Sequence, residues 1–311
     1  MTRARATGAA PLLSAVLLAA LCSSACAPGH AARGRQALAR GDHGLAIEEL
    51  ARATDEHPDD ASLWRDLARA HMRAIEPQQA IEAIERAYAI DPGDAETALV
   101  RGQARLAVDR RDGALEDALF VLEHGTTARA LQETAILLLR LHEADRAIAA
   151  GRRAIELSKH DPTAYANLAV LAAKAGRNDV AGQAFTEGRR IHPEHIGLAE
   201  AHAAWLIGRG EVEQARDVYR ALLPVHPKPG LIHLAIALLS HSLGDLGDAR
   251  VHSEAAVAAV GRERADVHYT HIVVLRDTGD LDEARAHLDA ARRRFPGDSD
   301  LARLAASMEA P

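Results

Sequence analysis

The chain of 311 residues has a formal net charge of −7, with 37 Lys plus Arg against 44 Asp plus Glu. That balance, with a pI near 6.2, argues against a nucleic-acid-binding protein, which needs a basic surface. Only three of the 37 cations are lysine, and the 34 arginines that remain are interspersed with acids. Aromatic residues make up 3% of the chain and alanine, the strongest helix former, is abundant, so the composition points to an all-α protein.

The N-terminus reads as a secretion signal. Arg3 and Arg5 precede the apolar run Leu12 to Leu21, which is too short to span a bilayer as a mature helix, and small residues follow. "SSAC", Ser23 to Cys26, resembles the bacterial lipobox, although Ser23 stands where that motif usually has Leu. The resemblance implies a signal peptide over residues 1–25 and a lipid on Cys26, which would attach the protein to a membrane without a spanning helix. Ala27, rather than aspartate, after the acylated cysteine favours the outer membrane where the host has one. The alternative is cleavage at the A-x-A site Ala25-Cys26-Ala27, which would release a soluble periplasmic or secreted protein. Either cut removes at least one of Cys22 and Cys26, so a disulfide or a cysteine metal site is the weakest reading.

From residue 27 the chain is self-similar at a period of about 34. Eight units follow: 27–60, 61–94, 95–127, 128–161, 162–195, 196–229, 230–264 and 265–298. Position 20 of every unit is alanine: Ala46, Ala80, Ala114, Ala147, Ala181, Ala215, Ala249 and Ala284. Position 8 is small in seven, from Gly34, Ala68 and Gly102 to Ala135, Ala169, Ala203 and Ala237. Two helices per unit would cross at these positions, and a larger side chain would push them apart. Gly41, Gly176, Gly210, Gly244 and Gly279 would end first helices in the left-handed conformation. Pro58, Pro92, Pro193, Pro227 and Pro296 follow second helices, which they cannot extend.

This pattern resembles the tetratricopeptide repeat family, and it covers nearly all of the chain after the signal. The resemblance implies an α-solenoid of about eight helix hairpins. In residues 299–311, Leu301, Leu304, Ala305 and Met308 share a stripe suited to a terminal capping helix. Units three and four depart from the pattern: the loop glycine is missing, and Thr126 and Lys159 replace proline. Arg101 and Arg105 stand at core positions of unit three. They either snorkel or pair with acids, or they mark a bend or binding site.

In the family, positions 2, 5, 9, 12 and 13 of the first helices line a groove that binds a protein segment. Here they would present Arg35, Arg65, Arg69 and Arg73 at the N-terminal end. Gln103, Gln132, Ile136, Leu139, Arg140, Val170 and Lys174 follow, with Asn167 joining the groove as a match to a family asparagine, and then Leu231, Leu234 and Leu238. Such a groove runs from basic to apolar and fits a partner with an acidic segment followed by hydrophobic anchors. The competing reading makes Arg65, Arg69 and Arg73 a solvated face neutralised by neighbours such as Asp66. Asn167 matches the asparagine with which chaperone-binding members hold a C-terminal carboxylate, but Gly197 and Ala201 stand where that clamp needs positive charge.

No enzyme signature emerges, and neither a cofactor nor a small-molecule substrate is expected. There is no Gly-Lys dipeptide for a P-loop, and "HEADR" (142–146) has Arg146 where a zinc protease has its second histidine. "GRGEVE" (208–213) lacks the third glycine of a dinucleotide loop. Among 17 histidines, His192/His195 and His268/His271 have the closest spacing, but two histidines leave a metal incompletely coordinated, so no metal site is expected. His57, His192 and His226 share position 31, where a histidine suits a helix C-terminus. The whole reads as a non-enzymatic scaffold for a protein partner in the bacterial envelope, serving the assembly of a machine such as a pilus or secretion complex.

Overall fold

The computed structural model describes residues 29–309. The segment expected to be a signal peptide, with Cys22 and Cys26, lies outside the described residues. Helices fill the chain, and no strand occurs among the described residues. The chain divides into two compact units, one ending at Thr126 and one beginning at Thr127.

The first unit holds three helix hairpins: α1 (His30–Arg40) with α2 (His43–Glu56), α3 (Ala61–Arg73) with α4 (Pro77–Ile90), and α5 (Ala95–Ala107) with α6 (Arg111–His124). The second holds five: α7 (Ala128–Arg140) with α8 (Ala144–Leu157), α9 (Pro162–Lys174) with α10 (Asn178–Ile191), and α11 (Ile196–Gly208) with α12 (Val212–Arg220). Then come α13 (Gly230–Ser242) with α14 (Leu246–Val260), and α15 (Ala265–Thr278) with α16 (Leu281–Arg294). A last helix, α17 (Ser299–Glu309), packs on α15 and α16. Each unit is thus a run of paired hairpins, an all-α solenoid architecture.

Alanine makes the hairpins close. All eight position-20 alanines have no accessible surface, and the position-8 residues are buried as well. A Cβ on Gly34 would come within 2.6 Å of Leu50 Cγ, so the first crossing accepts only glycine unless a neighbour shifts. The cores run across hairpins rather than within them. In the first unit, Ala37, Leu50, Leu67, Ile84 and Val100 form one cluster contributed by α1 to α5. At the far end Leu301, Leu304 and Ala305 of α17 close the cluster of Ile272, Leu275 and Leu288, with Met308 packed against it.

The connector inside each hairpin is built the same way eight times. The residue at position 15 is left-handed in every unit, and the next amide donates to the carbonyl five residues back at 2.8–3.0 Å. This is the Schellman arrangement, which satisfies carbonyls that the ending helix leaves free. Five of the eight use the glycines named above, but Ile75, Asp109 and His142 adopt φ of 63°, 59° and 68°. The absence of glycine in units three and four therefore leaves the turn intact, and unit two shares their departure. Ile75 is the strained case, since a β-branched residue disfavours this region, and its side chain is 87% exposed.

Between hairpins, an aspartate ending one repeat starts the next first helix. Asp60, Asp94 and Asp161 accept the amides of Ser62, Glu96 and Thr163, each two residues on, and Thr127 and His195 accept those of Ala130 and Leu198. These side chains satisfy donors that a helix N-terminus leaves unpaired.

Candidate functional site: the face of the first helices

Successive first helices pack side by side, α1 on α3 and α3 on α5 in the first unit, α7 on α9, α9 on α11 and α13 on α15 in the second. They carry the residues singled out from the sequence. In the first unit this face is charged and tied together. Arg35 donates to Asp66 at 2.6 Å and to the Ser62 hydroxyl at 3.2 Å. Asp66 also receives Arg69 at 3.4 Å, and Arg69 reaches on to Glu96 at 2.5 Å. Arg65 pairs with Asp94, which simultaneously caps α5. Burial works against the charge on Asp94, yet the Thr97 hydroxyl, Arg65 and two backbone amides hold its carboxyl below the ordinary range.

Of the two readings, the neutralised face is the one observed, and the free basic patch is corrected: three of its four arginines pair with acids of their own or the following repeat. Only Arg73, exposed at the end of α3, makes no ion pair with the described residues. Glu96, at position 2 of the third repeat, was the signal in the sequence, since it falls on the same face as the arginines. The acidic stretch expected of a partner loses its main support.

Arg101 and Arg105 also pair with acids. Arg101 donates two hydrogen bonds to Asp117 Oδ1, at 3.0 and 2.5 Å, and its guanidinium carbon sits over the Tyr88 ring, 3.3 Å from the centroid. Arg105 donates to Asp117 Oδ2 and to Glu85, both at 3.0 Å. Asp117 is 2% exposed in its side chain. Burial pushes its carboxyl up, while the two guanidiniums pull it back. Two arginines and two acids sum to no net charge, which lets Arg101 and Asp117 be buried while Glu85 stays partly exposed.

The second unit presents a different face. Position 9 of its five first helices reads Ile136, Val170, Ala204, Leu238 and Val273, apolar throughout. Ile136 is 57% exposed, Val170 40% and Leu238 51%, with Leu231 beside it at 42%. Leu234, expected on this face, is instead buried among Ala256, Val267, Val257 and Val260, and so serves the core. Gln103 of the first unit and Gln132 and Leu139 of the second are half-buried, whereas Arg140, Asn167 and Lys174 are exposed along the second unit's helices.

The histidines resolve into capping and core roles. His57 and His192 are the residues on which α2 and α10 end. His195 accepts the Leu198 amide at the start of α11. His202 stacks on Phe185 with ring centroids 4.8 Å apart and tilts against Trp205. Burial there, reinforced by Arg189, drives its pKa down to about 4. The pair His268/His271 is not brought together as a site: His268 turns to the Gly261 carbonyl at 2.9 Å and to Phe295.

Among the described residues, no helix is long and apolar enough to cross a membrane. A family model described as tetratricopeptide repeat matches residues 31–95, 133–196 and 269–310, more than half of the chain. No curated protein matches the sequence. Solved structures similar to this chain include a tetratricopeptide repeat protein from Parabacteroides merdae, 16% identical over 78% of this chain and 96% of its own, with a TM-score of 0.44. A thermophilic TPR protein of Thermus thermophilus is 23% identical over 57% of this chain and 97% of its own, at 0.46. YrrB, described as a TPR protein with an unusual peptide-binding site, is 18% identical over 64% of this chain and 100% of its own, at 0.43. With these scores below 0.5, the family match alone carries the assignment.

Proposed function

The chain belongs to the tetratricopeptide repeat family, a family of protein–protein interaction scaffolds, and from that premise we propose that it captures an extended or helical segment of another protein on the first helices of its second unit. The observation that carries this reading is the row of apolar residues at position 9, four of which no neighbouring helix covers fully: Ile136, Val170, Ala204 and Leu238. Side chains left open at one repeat position in successive hairpins offer anchor points at regular spacing, as groove-bound segments require. Arg140, Asn167 and Lys174 flank them as a polar rim that fixes register. Binding involves no covalent step; it holds a partner in place and raises its local concentration.

The protein is a scaffold of the bacterial cell envelope in this proposal, held at the periplasmic side of the outer membrane by a lipid on Cys26 and serving the assembly of a machine such as a pilus or secretion complex. The lipobox-like sequence supports the anchor. The A-x-A sequence at the same place supports a second reading, a soluble periplasmic adaptor. Membrane fractionation of a Cys26→Ser variant separates the two, and unchanged membrane retention would end the lipid reading.

For the docking face, photo-crosslinkers are placed at Ile136, Val170 and Leu238, with a control at Val251 on second helix α14, which is also exposed. The three sites should yield one common partner that the control does not, and Ile136→Glu with Leu238→Glu should abolish it. Equal capture from Val251, or capture that survives the double variant, overturns the assignment.

A further inference from the structure

We propose that His271, Glu283 and His287 form a zinc site that clips together α15 and α16, the last hairpin. One ligand atom from each lies within 4.8 Å of the others. Glu283 and His287 are four residues apart on α16, so they share a face, and His271 enters from the facing helix α15. Around a tetrahedral zinc with bonds of about 2.0–2.1 Å, ligand atoms sit roughly 3.3 Å apart. Side-chain rotations that bring the donors together by up to about 1.5 Å complete the set.

Two features prepare these donors. Ser253 Oγ donates its only proton to the Arg250 carbonyl at 3.0 Å. At 2.9 Å from His271 Nδ1, the same oxygen then accepts from that ring nitrogen. His271 is thus held as the tautomer with a bare Nε2, the form a metal needs, and its orientation is set by a hydrogen bond on the other nitrogen. The ring stands edge-on to His287, with centroids 4.7 Å apart. From the same helix as Ser253, α14, Arg250 donates to Glu283 Oε2 at 2.7 Å, fixing the carboxylate while its remaining lone pairs stay available.

Two imidazoles with one carboxylate match zinc, whereas magnesium and calcium prefer oxygen alone. The three ligands leave a fourth position to water. The site lies where the sequence showed only the His268/His271 pair, because its other members come from the next helix.

The test is titration of the metal-stripped full chain with zinc chloride, read by calorimetry and melting temperature, and with cobalt(II), read by the absorption of its four-coordinate form. One tight equivalent of zinc should bind and raise the melting temperature, and magnesium should do neither. His287→Ala and Glu283→Gln should each weaken zinc at least tenfold and remove the four-coordinate cobalt spectrum. Both side chains reach solvent, so the zinc-free variants should melt as the wild type does, which separates loss of a ligand from loss of fold. Absence of a tight equivalent, or an affinity unchanged in His287→Ala and in Glu283→Gln, would overturn the proposal and assign any bound zinc to other histidines.

Discussion

Position 9 of the first helices reads Arg35, Arg69 and Gln103 in the first unit, and Ile136, Val170, Ala204, Leu238 and Val273 in the second. The interiors differ in the same sense. The first unit buries a charged cluster around Asp117, while the second buries a neutral imidazole, His202, between aromatic rings. One backbone plan therefore supports two chemistries. In the first unit, acids of the following repeat occupy the arginines, so charge is consumed in holding hairpins together. In the second, Ile136, Val170 and Leu238 of the apolar row stay exposed, and that surface is the one proposed to take a partner.

The largest effect should come from breaking the charged interior. Asp117→Ala leaves Arg101 and Arg105 without their shared acceptor, and loss of one member of a buried ion pair costs about 3–5 kcal/mol. Denaturant unfolding should show this as a drop in midpoint. A loss below about 1 kcal/mol would mean that water reaches the arginines and that the cluster is not a structural element.

The second unit should fail differently, through pH. His202 has a folded pKa of about 4 against an ordinary 6.5, with burial the first cause. The unfolded chain thus binds this proton first, and stability must fall as pH drops from 6.5 to 4, then level off. A shift of that size corresponds to about 3 kcal/mol. A His202→Gln variant should lose that component of the pH profile, and an unaltered slope would assign the dependence elsewhere.

Smaller effects sharpen the contrast. Among the described residues, two of the three left-handed residues that are not glycine, Ile75 and Asp109, lie in the first unit. Ile75→Gly should stabilise by about 1 kcal/mol by relieving the strain of that conformation, seen as a higher melting temperature; a lower one would show that the isoleucine side chain contributes packing. Least of all, a double-mutant cycle on Arg69 and Glu96 should return a coupling of about 0.2–1 kcal/mol that shrinks in salt, since both remain partly exposed. A salt-independent coupling would place that pair with the buried cluster instead.

Much of the fold was legible because periodic constraints are written in single residue types. The position-20 alanines sit at helix crossings and the loop glycines at left-handed turns, both as the spacing implied. The turn at Ile75 was not legible, because hydrogen bonds of the Schellman kind can impose a conformation that the side chain resists. The open face was read in part: Ile136, Val170 and Leu238 were recognisable from their repeat position. Leu234 was not separable from them, since only the packing of α14 and α15 decides which leucines are covered. The arginines left two readings open, because of their partners only Asp66 was recognisable; Asp94 and Glu96 belong to the repeat boundary and the next helix, and such pairing leaves no periodic trace.

The eight Schellman turns carry an evolutionary consequence. Their shape is enforced by main-chain hydrogen bonds over a fixed count of residues, so substitutions there are tolerated while a single inserted residue would misalign the following helix. Growth in length is accommodated where one hairpin hands over to the next, as between α12 and α13, where nine residues bearing Pro224 and Pro227 intervene. Such junctions are the natural places to graft a tag or a reporter without disturbing assembly.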